Sequence, residues 1–552
     1  MNKRIKILRS KFKKHKIDGY VIPKNDEYFT EYSRINRLKI ISNFSGSAGI
    51  AIILKNKNYL FTDGRYTIQS QIESGKNFKI LNYEKIINCD LLRNLTLGID
   101  PKLFTYNQIK KFFIKKNKIK FIKTNLVDEI KTEKITHNFS FFSLNKSIVG
   151  ESSNSKINKV SKYLKKNKSD YLFVSAPENI AWILNIRGKD SPNSPIPNAR
   201  LIISKTKKIF LISKIQKVKK LISEKIIKLS QFMDINEFPN KILQLKGNSF
   251  IVDNNSCSIY FENIIKSKFK IIKREDPTYL LKAIKNKIEI KNMINTHILD
   301  GAALTKFIYW IKNVNKKKIN EVQAQIKLEN FRKLNKNYLY PSFDTIAGSG
   351  ENGAIVHYRA KKENCKTISK SDIFLCDSGG QYKYGTTDVT RTICFSKPKK
   401  NIKDIFTKVL KGHIAVANTN LKKDNTGKKI DKRARKFLQN SNLDYAHGTG
   451  HGVGFFLNVH EGPQSISKFN KIKIKEGMVL SNEPGYYKKD SFGIRIENLT
   501  LAPIEIELIN NNLLTSSEKD YLFRYHIEIY SKISSYLNLK ERKWLASFIK
   551  HF

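Results

Sequence analysis

The sequence predicts a mixed α/β (α+β) chain: two tandem, similar α/β domains, then a third domain that carries the chemistry. Three observations support this. The chain has 552 residues, more than one hydrophobic core usually serves. Its first 285 residues contain a faint internal repeat. Downstream of that repeat, acids and histidines recur beside glycine and proline turns in an order that carries recognisable chemistry. The expected boundaries are 1–140, 141–286 and 287–552.

The elements follow in order. Ile5, Leu8 and Phe12 have the spacing of one helix face. In the first copy, Asp18-Gly-Tyr-Val-Ile-Pro leads through a polar stretch to Asn43-Phe-Ser-Gly46. Ile50–Leu54 and Tyr59–Phe61 then read as a strand pair around a lysine-rich turn. The second copy repeats this with Asp170–Val174, Glu178–Trp182, Asn185–Gly188, Leu201–Ile203 and Ile209–Ile212. A helical pattern with Val160, Tyr163 and Leu164 leads into it. The boundary between copies is expected in the polar stretch 132–155. Near Lys285 a long charged helix begins, with Ile290, Met293, Ile294, Ile298 and Leu299 at helical spacing.

Lys and Arg number 103 against 48 Asp and Glu, a formal charge of +55. The lysines run from Lys3 to Lys550 within Lys/Ile/Asn-rich text. That spread reads as solvated surface rather than as a nucleic-acid footprint, which would cluster and interleave with aromatics. The five cysteines (Cys89, Cys257, Cys365, Cys376, Cys394) include no C-x-x-C pair, which excludes a thiolate zinc ribbon and fits a reducing compartment. No run is long and apolar enough for a membrane span, and the N-terminal text lacks a secretory core. A cytoplasmic protein with no membrane partner is the expectation.

The chemistry lies in the third segment. Ile373-Phe-Leu-Cys376 runs into Asp377-Ser-Gly-Gly380, and Gly385-Thr-Thr-Asp388 leads into a second apolar run. A Gly-rich turn between them could bring both carboxylates together. His447-Gly-Thr-Gly-His451-Gly-Val-Gly sets two imidazoles among glycines, and His460-Glu-Gly-Pro follows. Glu483 and Glu497 sit at or within strand-like text. One such acid is an ordinary turn residue. Four acids with a histidine form the oxygen-rich set that a hard divalent pair requires.

Residues from about Lys287 to Ile504 resemble the pita-bread metallopeptidase superfamily. The texts His447–Gly454, Asn458–Pro463 and Glu483–Tyr487 look most like its Xaa-Pro aminopeptidases. Gly46–Gly49, Thr62–Tyr66 and Glu178–Gly188 extend the likeness to the long form, with two creatinase-like domains before the pita-bread domain. The resemblance implies two divalent metal ions, typically Mn2+. Asp377 would be a terminal ligand, Asp388 and Glu497 bridges, and His451 and Glu483 the ligands completing the second ion. It also implies Glu483 as the acid that takes the proton of the attacking water. His460 would be the oxyanion donor, and His357 and His447 would line the substrate pocket. Arg495, two residues before Glu497, faces the same side in a strand and could hold a ligand carboxylate. Short peptides with proline at position two and a homodimer are implied as partners. Two other readings stay open: a prolidase-type dipeptidase on the same metal centre, and a basic nucleic-acid-binding protein on a peptidase scaffold.

Overall fold

The computed structural model describes residues 1–87, 90–113, 116–130 and 139–551. Cys89 and part of the expected boundary stretch lie outside them. The chain divides into two compact units, Met1–Lys282 and Ala283–Phe552.

The first unit opens with helix α1 (Asn2–Ser10), which buries Ile5 and Leu8. Strand β1 (Gly19–Pro23) is buried along its whole length, as a continuous apolar run at a sheet centre requires. Helix α2 (Arg37–Ser42) starts where the Asn36 side chain accepts from the Lys39 N–H. Then come β2 (Ile50–Leu54), β3 (Asn58–Thr62), β4 (Lys79–Asn82), β5 (Thr96–Ile99) and β6 (Lys118–Phe121). The second copy has helix α3 (Ser153–Lys166), β7 (Tyr171–Val174), α4 (Pro177–Leu184) and β8 (Arg200–Ser204). It continues with β9 (Ile209–Ser213), β10 (Phe232–Asp234), β11 (Ser249–Val252) and β12 (Lys270–Lys273).

The two sheets have strand orders β4-β3-β2-β1-β5-β6 and β10-β9-β8-β7-β11-β12, so each strand of the second stands where its counterpart stands in the first. The directions also agree: β1 and β7 pair antiparallel with β2 and β8, and parallel with β5 and β11. The repeat therefore extends past the text in which the sequence shows it. It includes Asp100 and Asp253, which follow β5 and β11 and each accept from the backbone N–H two residues on, at 2.9 and 2.8 Å. Ile259 of the second copy is buried in the core of the first, its N–H bonded to the Phe104 carbonyl at 2.8 Å.

The second unit opens with helix α5 (Lys287–Asn313), capped by Asn286 and Glu289 in a reciprocal box. Its start matches the sequence pattern, but its buried face differs. Met293 is buried while Ile294 is half exposed, and Thr296, His297 and Asp300 take the inner positions. Pairing makes that polar face tolerable: Asp300 accepts from Arg332 Nε and from the Tyr382 hydroxyl, both at 2.7 Å.

Strands β13 (Ile346–Ser349), β14 (Ile373–Ser378) and β17 (Val389–Cys394) form one antiparallel sheet. Two short strands, β15 (Gly380–Tyr382) and β16 (Gly385–Thr386), form a hairpin between β14 and β17. Two further hairpins pair β18 (Gly450–Gly452) with β19 (Glu461–Ile466), and β20 (Gly485–Lys488) with β21 (Phe492–Arg495). Ile494 and Ile496 pack into a core with Phe406, Val409 and Leu410 of helix α6 (Lys400–Ala417) and Leu522 and Ile529 of helix α7 (Ser516–Ile533). Alternation along the extended chain turns Arg495 and Glu497 to the opposite side.

Arg391 on β17 is fully buried and donates to the carbonyls of Glu497 (2.6 Å), Ala502 (2.5 Å) and Pro503 (2.9 Å) and to the Tyr525 hydroxyl (2.9 Å). Among the described residues, no helix is long and apolar enough to cross a membrane.

Candidate metal centre

The acids gather around the β14–β17 pair. Asp377 lies opposite Thr390 in register, and Asp388 immediately precedes β17, so the two strands place both carboxylates at one end of the sheet. Arg495 Nη2 donates to Asp377 Oδ2 at 2.5 Å, and its Nε donates to Thr390 Oγ1 at 3.0 Å. The Thr390 hydroxyl in turn donates to Glu497 Oε2 at 2.8 Å. One guanidinium and one hydroxyl thus fix the orientation of two acids.

His451 lies on β18, and His460 immediately precedes β19. Glycines flank His451 because backbone crowds it: a Cβ at Gly450 would stand 2.0 Å from the Ser481 carbonyl oxygen, and one at Gly452 would stand 2.3 Å from that of Glu461. His451 Nδ1 lies 2.9 Å from the Gly452 carbonyl, which can only accept, so Nδ1 carries the proton. Its Nε2 faces Asp388 Oδ2 at 3.3 Å and Glu483 Oε1 at 3.5 Å. Ser481 Oγ accepts from the His451 N–H at 3.0 Å and donates to Glu483 Oε1 at 3.2 Å. The ring of His460 stands 4.3 Å from that of His451, centroid to centroid.

Three overlapping groups of side chains have potential ligand atoms within 4.8 Å of one another: Asp377/Asp388/Glu497, His451/Glu483/Glu497 and Asp388/His451/His460. Asp388, Glu497 and His451 each belong to two groups, and of these the two carboxylates have a pair of oxygens to offer. Asp377 Oδ1, Asp388 Oδ1 and Glu497 Oε1 are buried and accept no hydrogen bond from the protein. Burial, reinforced by Asp388 and Glu483, pushes the Asp377 carboxyl up to about 6 despite Arg495. Burial also raises Glu483, and it raises Glu497 well above the carboxylate range with Asp388, Glu483 and Asp377 adding to it. Burial favours the neutral form of His451, yet the Asp388 and Glu483 carboxylates outweigh it and raise the ring to about 9. Buried acids this close cannot all hold charge without cations, and the orphaned oxygens are hard donors suited to divalent ions.

The other histidines divide. His447 Nε2 lies 2.9 Å from the Tyr487 hydroxyl, which also accepts from Arg495 Nη1, so His447 joins the Asp377 end of the centre. Its Nδ1 is 3.9 Å from Glu483 Oε2. His357 belongs to none of the ligand groups. It follows a 3-10 turn (Gly350–Ala354) whose backbone packs against β21: a Cβ at Gly493 would meet the Gly353 carbonyl oxygen at 1.8 Å. Glu483 likewise lies in extended chain with isolated bridges at Leu480 and Asn482 rather than in a strand.

Sequence reasoning missed Thr390, Ser481 and Tyr487. Thr390 was findable, since it follows Asp388 by two residues in strand-like text and so shares its face. Cys394, Glu505 and Glu507 also come within ligand distance of one another, but Lys312 Nζ already sits 2.7 Å from Glu505 Oε2 and supplies the cation there.

Residues 291–502 match metallopeptidase family M24, and 494–552 match the C-terminal region of that peptidase. Residues 4–129 and 135–289 each match a creatinase/prolidase N-terminal domain. A probable Xaa-Pro aminopeptidase P of Laccaria bicolor is 36% identical, over 98% of this chain and 92% of its own. The crystal structure of an X-prolyl aminopeptidase from Caenorhabditis elegans, described as a cytosolic enzyme with a di-nuclear active site, superposes with a TM-score of 0.92. It covers 99% of both chains at 27% identity. A prolidase from Pyrococcus horikoshii reaches 0.51, at 26% identity over 62% of this chain and 94% of its own. With two creatinase-type domains ahead of an M24 domain and full-length likeness above 30%, the chain belongs to the Xaa-Pro aminopeptidase P family of M24 metallopeptidases.

Proposed function

We propose that this chain removes the residue before an N-terminal proline, and that Asp377, Asp388, His451, Glu483 and Glu497 hold two divalent ions, with Mn2+ the metal that the resemblance implies. One observation supports this most: Asp377 Oδ1, Asp388 Oδ1 and Glu497 Oε1 lie buried in one cluster and accept no hydrogen bond from the protein, which leaves three hard oxygen donors for cations. When bound, such ions supply Lewis acidity and lower the pKa of a water toward neutrality.

The protein's own residues do the rest. Glu483, its Oε1 steadied by Ser481, takes a proton from the attacking water and returns it to the leaving proline nitrogen. His460 donates to the oxyanion that develops on the scissile carbonyl, a contribution of roughly 3 kcal/mol for one good donor. His447 and His357 line the substrate pocket. Arg495 keeps Asp377 oriented while its partners change charge. The substrate's proline nitrogen carries no N–H, so a pocket shaped to the ring and tertiary amide selects it by fit.

The aminopeptidase reading is preferred to the dipeptidase one because likeness to the worm enzyme spans both N-terminal domains, whereas the prolidase covers 62% of the chain. A cytoplasmic location and a homodimer complete the proposal. The test is metal content and cleavage of an Xaa-Pro-Xaa tripeptide against an Xaa-Pro dipeptide, with and without added manganese. Cleavage of the dipeptide alone would overturn the aminopeptidase assignment, and metal-independent activity would overturn the ligand set.

A further inference from the structure

Lys285 and Glu461 form an ion pair in which each side chain is 1% exposed. Neither has a place in the proposed reaction. Glu461 directly follows His460 and opens β19, and its backbone lies opposite Gly452, the neighbour of His451. Lys285 is tied down by its own backbone. Its N–H donates to the Gly477 carbonyl at 2.9 Å, and Ile284 bridges to Met478. The chain from Met478 continues to Leu480, which bridges to Gly452, and to Ser481, whose N–H donates to the His451 carbonyl at 2.8 Å. Lys285 thus grips the Glu483 segment with its backbone and the His460 segment with its ammonium.

A buried ion pair is a poor stability device. Desolvating both charges costs several kcal/mol, and apolar replacements of similar volume are often neutral or stabilising. What such a pair can contribute is geometry, and here the Lys285 ammonium is held between Glu461 Oε1 and the Ala283 carbonyl, the latter at 3.3 Å. The β18–β19 pairing needs that help, since its register shifts between His451 and Gly452 and the extended text on either side is rich in glycine.

We propose that Lys285 and Glu461 are positioning residues: their buried ion pair sets β19 against β18 and so holds His460 at its working place beside His451. This rests on the function proposed above.

The experiment compares Lys285→Met, Lys285→Arg, Glu461→Gln and the double variant Lys285→Met/Glu461→Leu with the parent. Manganese content, unfolding midpoint, kcat and KM on an Xaa-Pro-Xaa tripeptide, and the visible spectrum of the cobalt-loaded protein are measured. The expected result is a fall in kcat of about 10–100-fold in Lys285→Met and in the double variant, the range typical when a supporting partner of a metal site is lost. KM and metal content should hold, the cobalt bands should move, and Lys285→Arg should recover most of the rate. The double variant keeps the inference testable if a single one misfolds, because it leaves no lone buried charge. Parental kcat and cobalt spectrum in a folded double variant would overturn the inference, as would losses that simply follow metal content or the unfolding midpoint. A parent that binds metal but cleaves no tripeptide would count against the proposed function instead, with the cobalt spectra still deciding the positioning role.

Discussion

Arg495 reaches Asp377 across 2.5 Å while its own side chain is 2% exposed, and the same guanidinium holds Thr390 and the Tyr487 hydroxyl. No other side chain offers donors in that planar fork. Arg495→Lys should lower metal affinity or turnover by about 10–100-fold, because an ammonium cannot serve three acceptors spread in this way. Calorimetric manganese titration checks it, and unchanged affinity and rate would remove Arg495 from the centre.

Asp388→Ala should strip most of the metal and cut turnover by orders of magnitude, since the proposed ions lose a shared ligand. Full metal occupancy with near-normal activity would sink the ligand assignment.

His460→Ala should keep metal and lose rate by about 10²–10³, as for a missing oxyanion donor. If it loses metal while His451→Ala retains it, the two histidines have exchanged roles. The placement of His460 within ligand distance of Asp388 makes this comparison informative.

A pH effect is expected away from the metal centre. Burial raises Asp276 to about 6, against hydrogen bonds from the Thr278 N–H and the Asn179 amide. The folded state therefore holds a proton that the unfolded state has released. Asp276 costs nothing below its ordinary pKa and destabilises increasingly as pH rises through 6. Asp276→Asn should stabilise the protein by up to about 3 kcal/mol near neutrality and by much less near about pH 4. Asn179 can turn its amide to meet the new N–H, since its Oδ1 is buried without a partner. Urea unfolding at both pH values measures the difference, and a gap that does not grow with pH contradicts the assignment.

Self-association should depend on salt. At +55, two copies repel at low ionic strength, so the proposed dimer should strengthen as salt approaches physiological levels. Light scattering across a salt series decides, and a fully active monomer at every salt concentration would refute the dimer.

Much of this was legible in sequence because tight turns and close backbone approaches restrict residue choice. The glycines around His451 and the acids beside Gly380 and Gly385 announce themselves by type and spacing. The repeat was legible only where its strands are continuous apolar runs. Edge strands such as Lys79–Asn82 and Lys270–Lys273 are half exposed and read as surface text. The buried face of α5 was misread because Thr296, His297 and Asp300 are polar. Asp300's inner place depends on Arg332 and Tyr382, partners that periodicity does not reveal. Spacing could have placed Thr390 on the face of Asp388, but not its bond to Glu497 or that between Tyr487 and His447, which join residues far apart in the chain.

Arg391 sets a sequence of events during synthesis. A nascent chain that has emerged as far as Glu497 already holds every proposed ligand, yet the carbonyls of Ala502 and Pro503 and the Tyr525 hydroxyl are still to come. Until they arrive, the guanidinium beside Thr390 lacks most of its acceptors, and burying it in that state is too costly for β17 to settle. The last acceptor, the Tyr525 hydroxyl, lies on helix α7, so a chain cut short before Ala502 would hold every proposed ligand and still leave this buried guanidinium short of partners.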